Sequence, residues 1–308
     1  MTNLTTYTAG VGDAPLLGYL AWYTVFDNTM IPYKDLENAL DQAGLGYATP
    51  RPPKAKDVFR RSCTSHEKRR EPVSKGVYEN HLIRDVRSIG GAVDKHLVIE
   101  RVDTNGRRLD YTPVYELSYN DKNGAYATSL HPSASEYIHV AESVITTFRQ
   151  WQDKVHSQAV RTAILRVLQH QHATVVRPSG GVYFISSRNV DDVHGMEQVL
   201  TGLTGTKGAS IHTVPLVDNP RQREMLEDAF KNEMENRLSD LMADVDQAID
   251  AGKVGSKKFS NLASELSDIK SKAREYTSVL ESEQEAVSLR VQAFESKLSK
   301  LYQLQLAE

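Results

Sequence analysis

Residues 219–250 read NPRQREMLEDAFKNEMENRLSDLMADVDQAID, and their apolar side chains recur every three or four positions. That spacing places the apolar side chains on one face of an α-helix. Asn219 is a favoured N-cap residue, Pro220 suits the first helical turn, and Gln222 stands where a capping box places its return partner. The segment therefore predicts a long helix that begins after Asn219 and ends before Gly252.

A second apolar stripe runs from residue 259 to residue 301 and fits a heptad frame. It predicts a second helix that packs antiparallel against the first, as in a coiled coil. At about 1.5 Å per residue the helices would measure roughly 45 and 75 Å, so the second would extend beyond the first. The side chains expected to join two chains are Tyr276, Leu280, Val287, Phe294, Leu298 and Leu301. A hairpin whose contacts stay within one chain is the alternative, because heptads alone do not distinguish the two.

The residues before this hairpin predict a head that mixes strands and helices. Its clearest β-signal lies at 96–130, where Asn105-Gly106 and Asn123-Gly124 favour the positive φ angles of tight turns. Alternation predicts one buried face on the middle strand, made of Leu109, Tyr111, Tyr115, Leu117 and Tyr119. The expected fold class is α+β, with an antiparallel sheet head and helices at residues 1–218 and a C-terminal antiparallel helical hairpin at 219–308.

Composition places the chain among globular proteins. Its 308 residues are 40% hydrophobic, and no stretch approaches the roughly 18 consecutive apolar residues of a membrane span. The single cysteine, Cys63, has no internal disulfide partner and excludes zinc sites built from several thiolates. We therefore expect a soluble cytoplasmic protein with no membrane segment, no metal site and no cofactor.

The overall charge of −3 hides one basic region. Residues 51–110 carry 15 Lys and Arg against 9 Asp and Glu, which gives 15 − 9 = +6. Clustered basic side chains attract phosphates, in an interaction that salt weakens. The side chains expected to bind nucleic acid are Lys54, Lys56, Arg60, Arg61, Lys68, Arg69 and Arg70. The alternative is a solvated surface that pairs with acidic segments of the same chain.

No segment matches a catalytic motif in full. The stretch from Arg177 to Phe184 reads RPSGGVYF and lacks the glycine spacing of a hydrolase nucleophile elbow, so it predicts a hairpin turn. Cys63 and His66 are three positions apart beside arginines that would lower a thiol pKa, but no orienting third residue can be identified. An inert cysteine is therefore the preferred interpretation. In an enzyme, Ser179, Cys63 and His66 would be the first participants to test.

Together with the segment HTVPLVDNP at residues 212–220, the RPSGGVYF hairpin resembles an uncharacterised family from bacteria and tailed phages. The early Trp22-Tyr23 strand and the segment DVFRR at residues 57–61 are similar to that family as well. The resemblance covers most of the chain. It implies a phage or mobile-element origin, but no activity and no catalytic residue.

These observations favour a non-enzymatic interaction protein. We expect it to form homo-oligomers through its C-terminal helices and to bind nucleic acid through the basic region. The alternatives are a structural component of a phage or cytoplasmic assembly, and an enzyme whose site is dispersed in the head.

Overall fold

The computed structural model describes residues 15–306 except 178, 180, 206–207, 252–254 and 282–284. The described residues combine antiparallel sheets with helices, which confirms the predicted α+β class. Among the described residues, no helix is both long enough and apolar enough to span a membrane.

By their contacts the described residues divide into two compact units. Residues 27–39 and 49–160 form the sheet unit, and the described parts of 1–26, 40–48 and 161–308 form the bundle unit. The bundle unit therefore contains residues on both sides of the boundary predicted between 218 and 219. Separate folding of residues 1–218 and 219–308 stays a prediction.

The element bounds are as follows. The strands are β1 (Leu16–Val25), β2 (Met30–Pro32), β3 (Lys68–Ser74), β4 (Val77–Ile89), β5 (Ala92–Asp103), β6 (Arg108–Asn120), β7 (Gly124–Ser129), β8 (Lys154–His156), β9 (Thr174–Arg177), β10 (Val182–Ser186) and β11 (Ala209–Val217). The helices are α1 (Tyr33–Gln42), α2 (Ala55–Ser65), α3 (Ile138–Trp151), α4 (Ser157–His170), α5 (Asp191–Thr204), α6 (Pro220–Asp250), α7 (Ser256–Leu280) and α8 (Glu285–Leu306). Short 3₁₀ helices lie at Gly46–Ala48 and Pro132–Tyr137.

The sheet unit is built on a five-stranded antiparallel meander in the order β3-β4-β5-β6-β7. The predicted meander at 96–130 lies within β5, β6 and β7, and two further strands precede it. One face of the meander packs against α2 and α3, because alternate side chains of each strand point the same way. The core on that face includes Phe59, Ile83, Leu97, Leu117 and Phe148, all buried.

The buried face predicted for the middle strand is only partly right. Tyr115, Leu117 and Tyr119 are buried in the core, whereas Leu109 is 55% exposed and Tyr111 is 40% exposed. The cause is the register, which shifts between Leu97 and Val98 and again between Arg101 and Val102 on β5. Each β-bulge adds a residue to one strand, so the alternation of faces does not run unbroken along β6.

The bundle unit packs a four-stranded antiparallel sheet, in the order β11-β1-β10-β9, against the C-terminal helices. Leu17, Phe184 and Leu216 of this sheet join the same buried cluster as the helices. Strands β9 and β10 pair antiparallel around the RPSGGVYF segment, which confirms the predicted hairpin, although positions 178 and 180 lie outside the described residues. Gly181 has a φ of +60°, a conformation that glycine adopts at little cost.

Where the structure describes the tail after Asn219, it has three helices, not the predicted two. The N-cap is as predicted, since the Asn219 side chain accepts a hydrogen bond from the Gln222 N–H at 3.0 Å. The second helix ends at Leu280, Glu281 takes a left-handed φ of +53°, and α8 begins at Glu285. The predicted rod of about 75 Å is therefore wrong. A separate α8 allows its apolar stripe to pack against α6 and α7, which removes that stripe from water within one chain.

Candidate nucleic-acid interface

The seven basic residues predicted to bind nucleic acid all belong to the sheet unit, on two elements. Lys54 directly precedes α2, and Lys56, Arg60 and Arg61 lie on that helix. Lys68, Arg69 and Arg70 lie on the edge strand β3, where all three are exposed. The run that is continuous in sequence is therefore split between a helix and a sheet edge.

Two of the helical arginines are engaged within the protein. Arg60 forms an ion pair with Asp57 at 2.9 Å and donates to the Ser88 hydroxyl at 2.7 Å. The Arg61 guanidinium lies 5.9 Å from the centre of the Trp151 ring, and burial lowers its pKa. These contacts stabilise the position of α2 and leave both guanidinium groups less available to a phosphate.

Arg70 has a different setting, at a bulge in β3. Its φ of +58° is uncommon for a residue with a Cβ, and its backbone N–H donates to the Asn80 side-chain oxygen at 2.7 Å. The guanidinium then lies over the Tyr78 ring, 4.6 Å from its centre. This is a cation–π contact on the exposed margin of the sheet.

The same arrangement recurs two strands away. The Arg108 guanidinium lies 4.6 Å from the centre of the Tyr111 ring, and its Nε donates to Glu100 at 2.8 Å. Glu100 also accepts from the Asn80 amide at 2.8 Å. The hydrogen bond from Asn80, with smaller contributions from Arg108 and the charge of Arg84, lowers the pKa of Glu100, so this carboxyl is ionised at neutral pH.

Strand register places these two arginine–tyrosine pairs on one face. Tyr78 pairs with Val102, which pairs with Arg108, and Asn80 pairs with Glu100, which pairs with Tyr111. Residues opposite each other in register point to the same side of a sheet. It is the face opposite the core side chains that contact α2 and α3, since Ile83 and Leu97 alternate with this set. We call Arg70, Tyr78, Arg84, Arg108 and Tyr111 the Arg–Tyr patch.

Two hairpin turns border the Arg–Tyr patch and add charge. Lys75 lies in the β3–β4 turn and Arg107 in the β5–β6 turn, and both are exposed. The turns are neighbours, because a Cβ built on Gly76 would lie 3.8 Å from Thr104. Asp103 accepts from the backbone N–H groups of residues 105 and 107 at 2.9 and 2.8 Å, so its carboxylate is occupied by the turn.

Sequence reasoning found Arg70 but missed the other four members of the Arg–Tyr patch. Tyr78, Arg108 and Tyr111 share one signal, an arginine or tyrosine on a strand near a hairpin turn, whereas Arg84 lies inside β4. That signal becomes specific only once the register of β4, β5 and β6 is known, because members of the Arg–Tyr patch are up to 41 residues apart in sequence.

Cys63 and His66, two of the proposed enzyme participants, do not form a nucleophile–base pair. Cys63 is fully buried, and burial raises its pKa to about 12. The His66 ring shares a hydrogen bond of 2.8 Å with the Thr147 hydroxyl, and burial lowers its pKa. Ser179 belongs to the bundle unit and Cys63 and His66 to the sheet unit. The contacts of Cys63 and His66 therefore give no paired nucleophile and base.

We expect Cys63 to react with a thiol reagent such as DTNB at least tenfold more slowly in the native protein at pH 8 than in denaturant. The thiolate is the reactive form, and a thiol with a pKa of about 12 is almost entirely protonated at that pH. Absorbance at 412 nm reports the reaction. Equal rates in both conditions would show that Cys63 is accessible in the fold.

The raised pKa of Cys63 also predicts that the stability of the fold decreases at high pH. The folded state holds its proton up to about pH 12, whereas an ordinary thiol loses it near pH 9. The stability that Cys63 contributes through its proton is therefore complete below pH 9 and is lost as the pH rises toward 12.

The bundle unit has a cleft of about 990 Å³ beside α7. Lys272 lines it, but its ammonium is already bound, to Glu233 at 2.5 Å and to the Ala173 carbonyl at 2.8 Å. Glu233 in turn accepts from the Val175 N–H at 2.9 Å. These bonds join α6, α7 and β9, which is a structural role. Within the described residues, no group of three or more His, Cys, Asp or Glu is placed to hold a metal ion.

The side chains predicted to join two chains are buried within one. Each of the six is at most 7% exposed in the bundle unit: Tyr276, Leu280, Val287, Phe294, Leu298 and Leu301. They share one cluster with Leu226, Phe230 and Met234 of α6. The overhanging helix on which the prediction depended is therefore absent, and self-association stays a prediction that other side chains would have to fulfil.

Comparison with known proteins identifies a family for this chain, and the function of that family is unknown. A model described as a family of unknown function, DUF6744, matches residues 16–307. Neither the curated proteins nor the solved structures contain a match. Because the family model spans nearly the whole chain, the protein belongs to DUF6744, a family of unknown function.

Proposed function

We propose that the protein is a non-enzymatic interaction protein that binds nucleic acid through the Arg–Tyr patch. The observation that carries the proposal is the pair of arginine–tyrosine stacks, Arg70 on Tyr78 and Arg108 on Tyr111, on one sheet face, where these four side chains are exposed or half-buried. A guanidinium held on a ring is restrained before binding, and its fork of N–H donors matches a phosphate.

The charge of this face supports the same ligand. The Arg–Tyr patch contains three arginines, and the carboxylate of Glu100, which pairs with Arg108, lies between its strands; these four groups together give 3 − 1 = +2. Lys75 and Arg107 in the bordering turns extend the positive region. Phosphates of a polyanion are therefore attracted to several points of this surface at once.

The test is a fluorescence-polarisation titration of a labelled 20-nucleotide strand and a labelled 20-base-pair duplex at 50 and 200 mM salt. The double variant Arg70→Glu/Arg108→Glu should weaken binding of whichever probe the wild type binds by at least tenfold. Its affinity should also depend less steeply on salt, because each lost phosphate contact reduces the salt slope by about one.

The matched control is Lys122→Glu/Arg149→Glu, which makes the same charge change at exposed positions of the sheet unit outside the Arg–Tyr patch. It should bind within twofold of wild type. Arg70→Gln/Arg108→Gln, with circular dichroism on every variant, separates lost binding from lost folding. Absence of binding at 50 mM salt, or equal losses in the control, would overturn the proposal.

The proposal has three further parts. A cytoplasmic location fits the single buried free thiol, Cys63. A phage or mobile-element origin rests on the family resemblance. Self-association through the C-terminal helices would need exposed positions such as Leu289, which is 67% exposed on α8. Light scattering of the protein without nucleic acid measures its mass in solution and so tests self-association.

A further inference from the structure

We infer that the ligand of the Arg–Tyr patch is single-stranded nucleic acid, whose bases stack on the two arginine–tyrosine pairs. This inference rests on the proposed function and narrows its ligand. Phosphate contacts alone require only positive charge, which Lys68 and Arg69 on β3 would also supply. What the Arg–Tyr patch adds is aromatic surface at two positions.

The exposure of the rings supports stacking. Tyr111 is 40% exposed and Tyr78 is half-buried, so each ring is anchored in the sheet while part of it meets solvent. The guanidinium over each ring is itself a flat platform on which a base can stack. Both surfaces accept any base, because every base has a π-face, and the expected binding is therefore tolerant of sequence.

The geometry disfavours a duplex as the ligand. Inside a duplex both faces of each base are covered by its neighbours, so a protein ring can stack only on a base that has left the stack. Reading base edges would instead require an element that enters a groove. The Arg–Tyr patch lies on a sheet face beside two turns, and its side chains are at most able to contact the backbone of a duplex.

The spacing of the pairs also fits a splayed strand. Tyr78 is on β4 and Tyr111 on β6, with β5 between them, which separates the two strands by roughly 10 Å. Successive bases in a duplex are only about 3.4 Å apart. Bases held on both pairs are therefore either unstacked from each other or separated by further nucleotides, and a flexible single strand permits both.

The experiment compares three 20-mers, dT20, rU20 and a mixed-sequence DNA duplex, on wild type and on tyrosine variants of the full chain. Wild type should bind dT20 or rU20 at least tenfold more tightly than the duplex, and the stronger of the two identifies DNA or RNA. Tyr78→Ala/Tyr111→Ala should lose at least tenfold on the single strand, because each stacked base is lost with its ring. Its salt slope should stay that of wild type.

Three variants make the result specific. Tyr78→Phe/Tyr111→Phe keeps both rings and should bind within about threefold of wild type. Tyr126→Ala removes a ring that is 40% exposed on β7, outside the Arg–Tyr patch, and should bind as wild type does. If the alanine pair unfolds, Tyr78→Leu/Tyr111→Leu keeps apolar bulk without rings and should show the same loss.

The outcomes separate this inference from the function on which it rests. If the duplex binds as tightly as the single strands, or if the leucine and alanine pairs bind as wild type does, stacking is overturned. Loss of binding in Arg70→Glu/Arg108→Glu would then still uphold nucleic-acid binding through phosphates. If wild type binds none of the three probes, both proposals fail.

Discussion

Replacing Phe294 with alanine should lower the free energy of unfolding by about 3–5 kcal/mol. Phe294 has no exposed surface and lies in the cluster that joins α6, α7 and α8. The substitution removes the transfer free energy of the ring and leaves a cavity that neighbouring helices fill only in part. Urea denaturation followed by circular dichroism measures the change as a lower midpoint at an unchanged slope.

The control lies five residues earlier on the same helix. Leu289 is 67% exposed, so Leu289→Ala should change the unfolding free energy by no more than about 0.5 kcal/mol. Because Phe294 packs within its own chain, the loss caused by Phe294→Ala should be the same at low and at high protein concentration. A loss that grows with protein concentration would restore the contact between chains predicted from the sequence.

The C-terminal helices show how far the sequence pattern reaches. The capping residues and the stripe of α6 predicted that helix to within a residue at its start. The break after Leu280 was missed because the spacing from Leu280 to Val287 keeps the heptad, and a heptad is equally compatible with one helix or two. Only the location of the partner surface decides between them, and that is a tertiary property.

Strand β4 was missed for a different reason. Near its start it has three consecutive buried polar residues, Glu79, Asn80 and His81, so it shows no alternation of apolar and polar residues there. Their burial is explained by hydrogen bonds and ion pairs between side chains, which the sequence does not reveal. Glu79 bonds to His81 at 3.0 Å and accepts from the Tyr137 hydroxyl at 3.0 Å, while Arg101 approaches it from β5.

Two errors in the predicted sheet, the missing strand β4 and the wrong face for part of β6, kept the sequence from predicting the candidate site. Without β4 in the predicted sheet, Tyr78 and Arg84 had no neighbours, and unbroken alternation on β6 placed Tyr111 in the core. The bulges that move Tyr111 to the exposed face are therefore part of what builds the Arg–Tyr patch. The clustering of charge in the sequence predicted an interface on the sheet unit, and the strand register then identifies the residues of the Arg–Tyr patch.

The ion pair of Lys272 and Glu233 is the other place where we expect a single substitution to lower stability strongly. The Lys272 side chain is 4% exposed, and burial lowers its pKa although Glu233 opposes that shift. Burial of two charges costs free energy that only close pairing offsets. Breaking such a pair from one side therefore does more harm than its net contribution to the fold would suggest.

We expect Lys272→Met to lower the free energy of unfolding by about 3–5 kcal/mol, because Glu233 keeps its charge and loses its cation. Lys258→Met, which breaks an exposed pair with Asp244 between the same two helices, should cost at most about 1 kcal/mol. The double variant Lys272→Met/Glu233→Gln retains an acceptor for the Val175 N–H and removes the uncompensated charge. Its loss should be smaller than the sum of the two single losses, measured by urea denaturation. Strictly additive losses would show that the two side chains are not coupled, and the joint between α6, α7 and β9 would then depend on apolar packing alone.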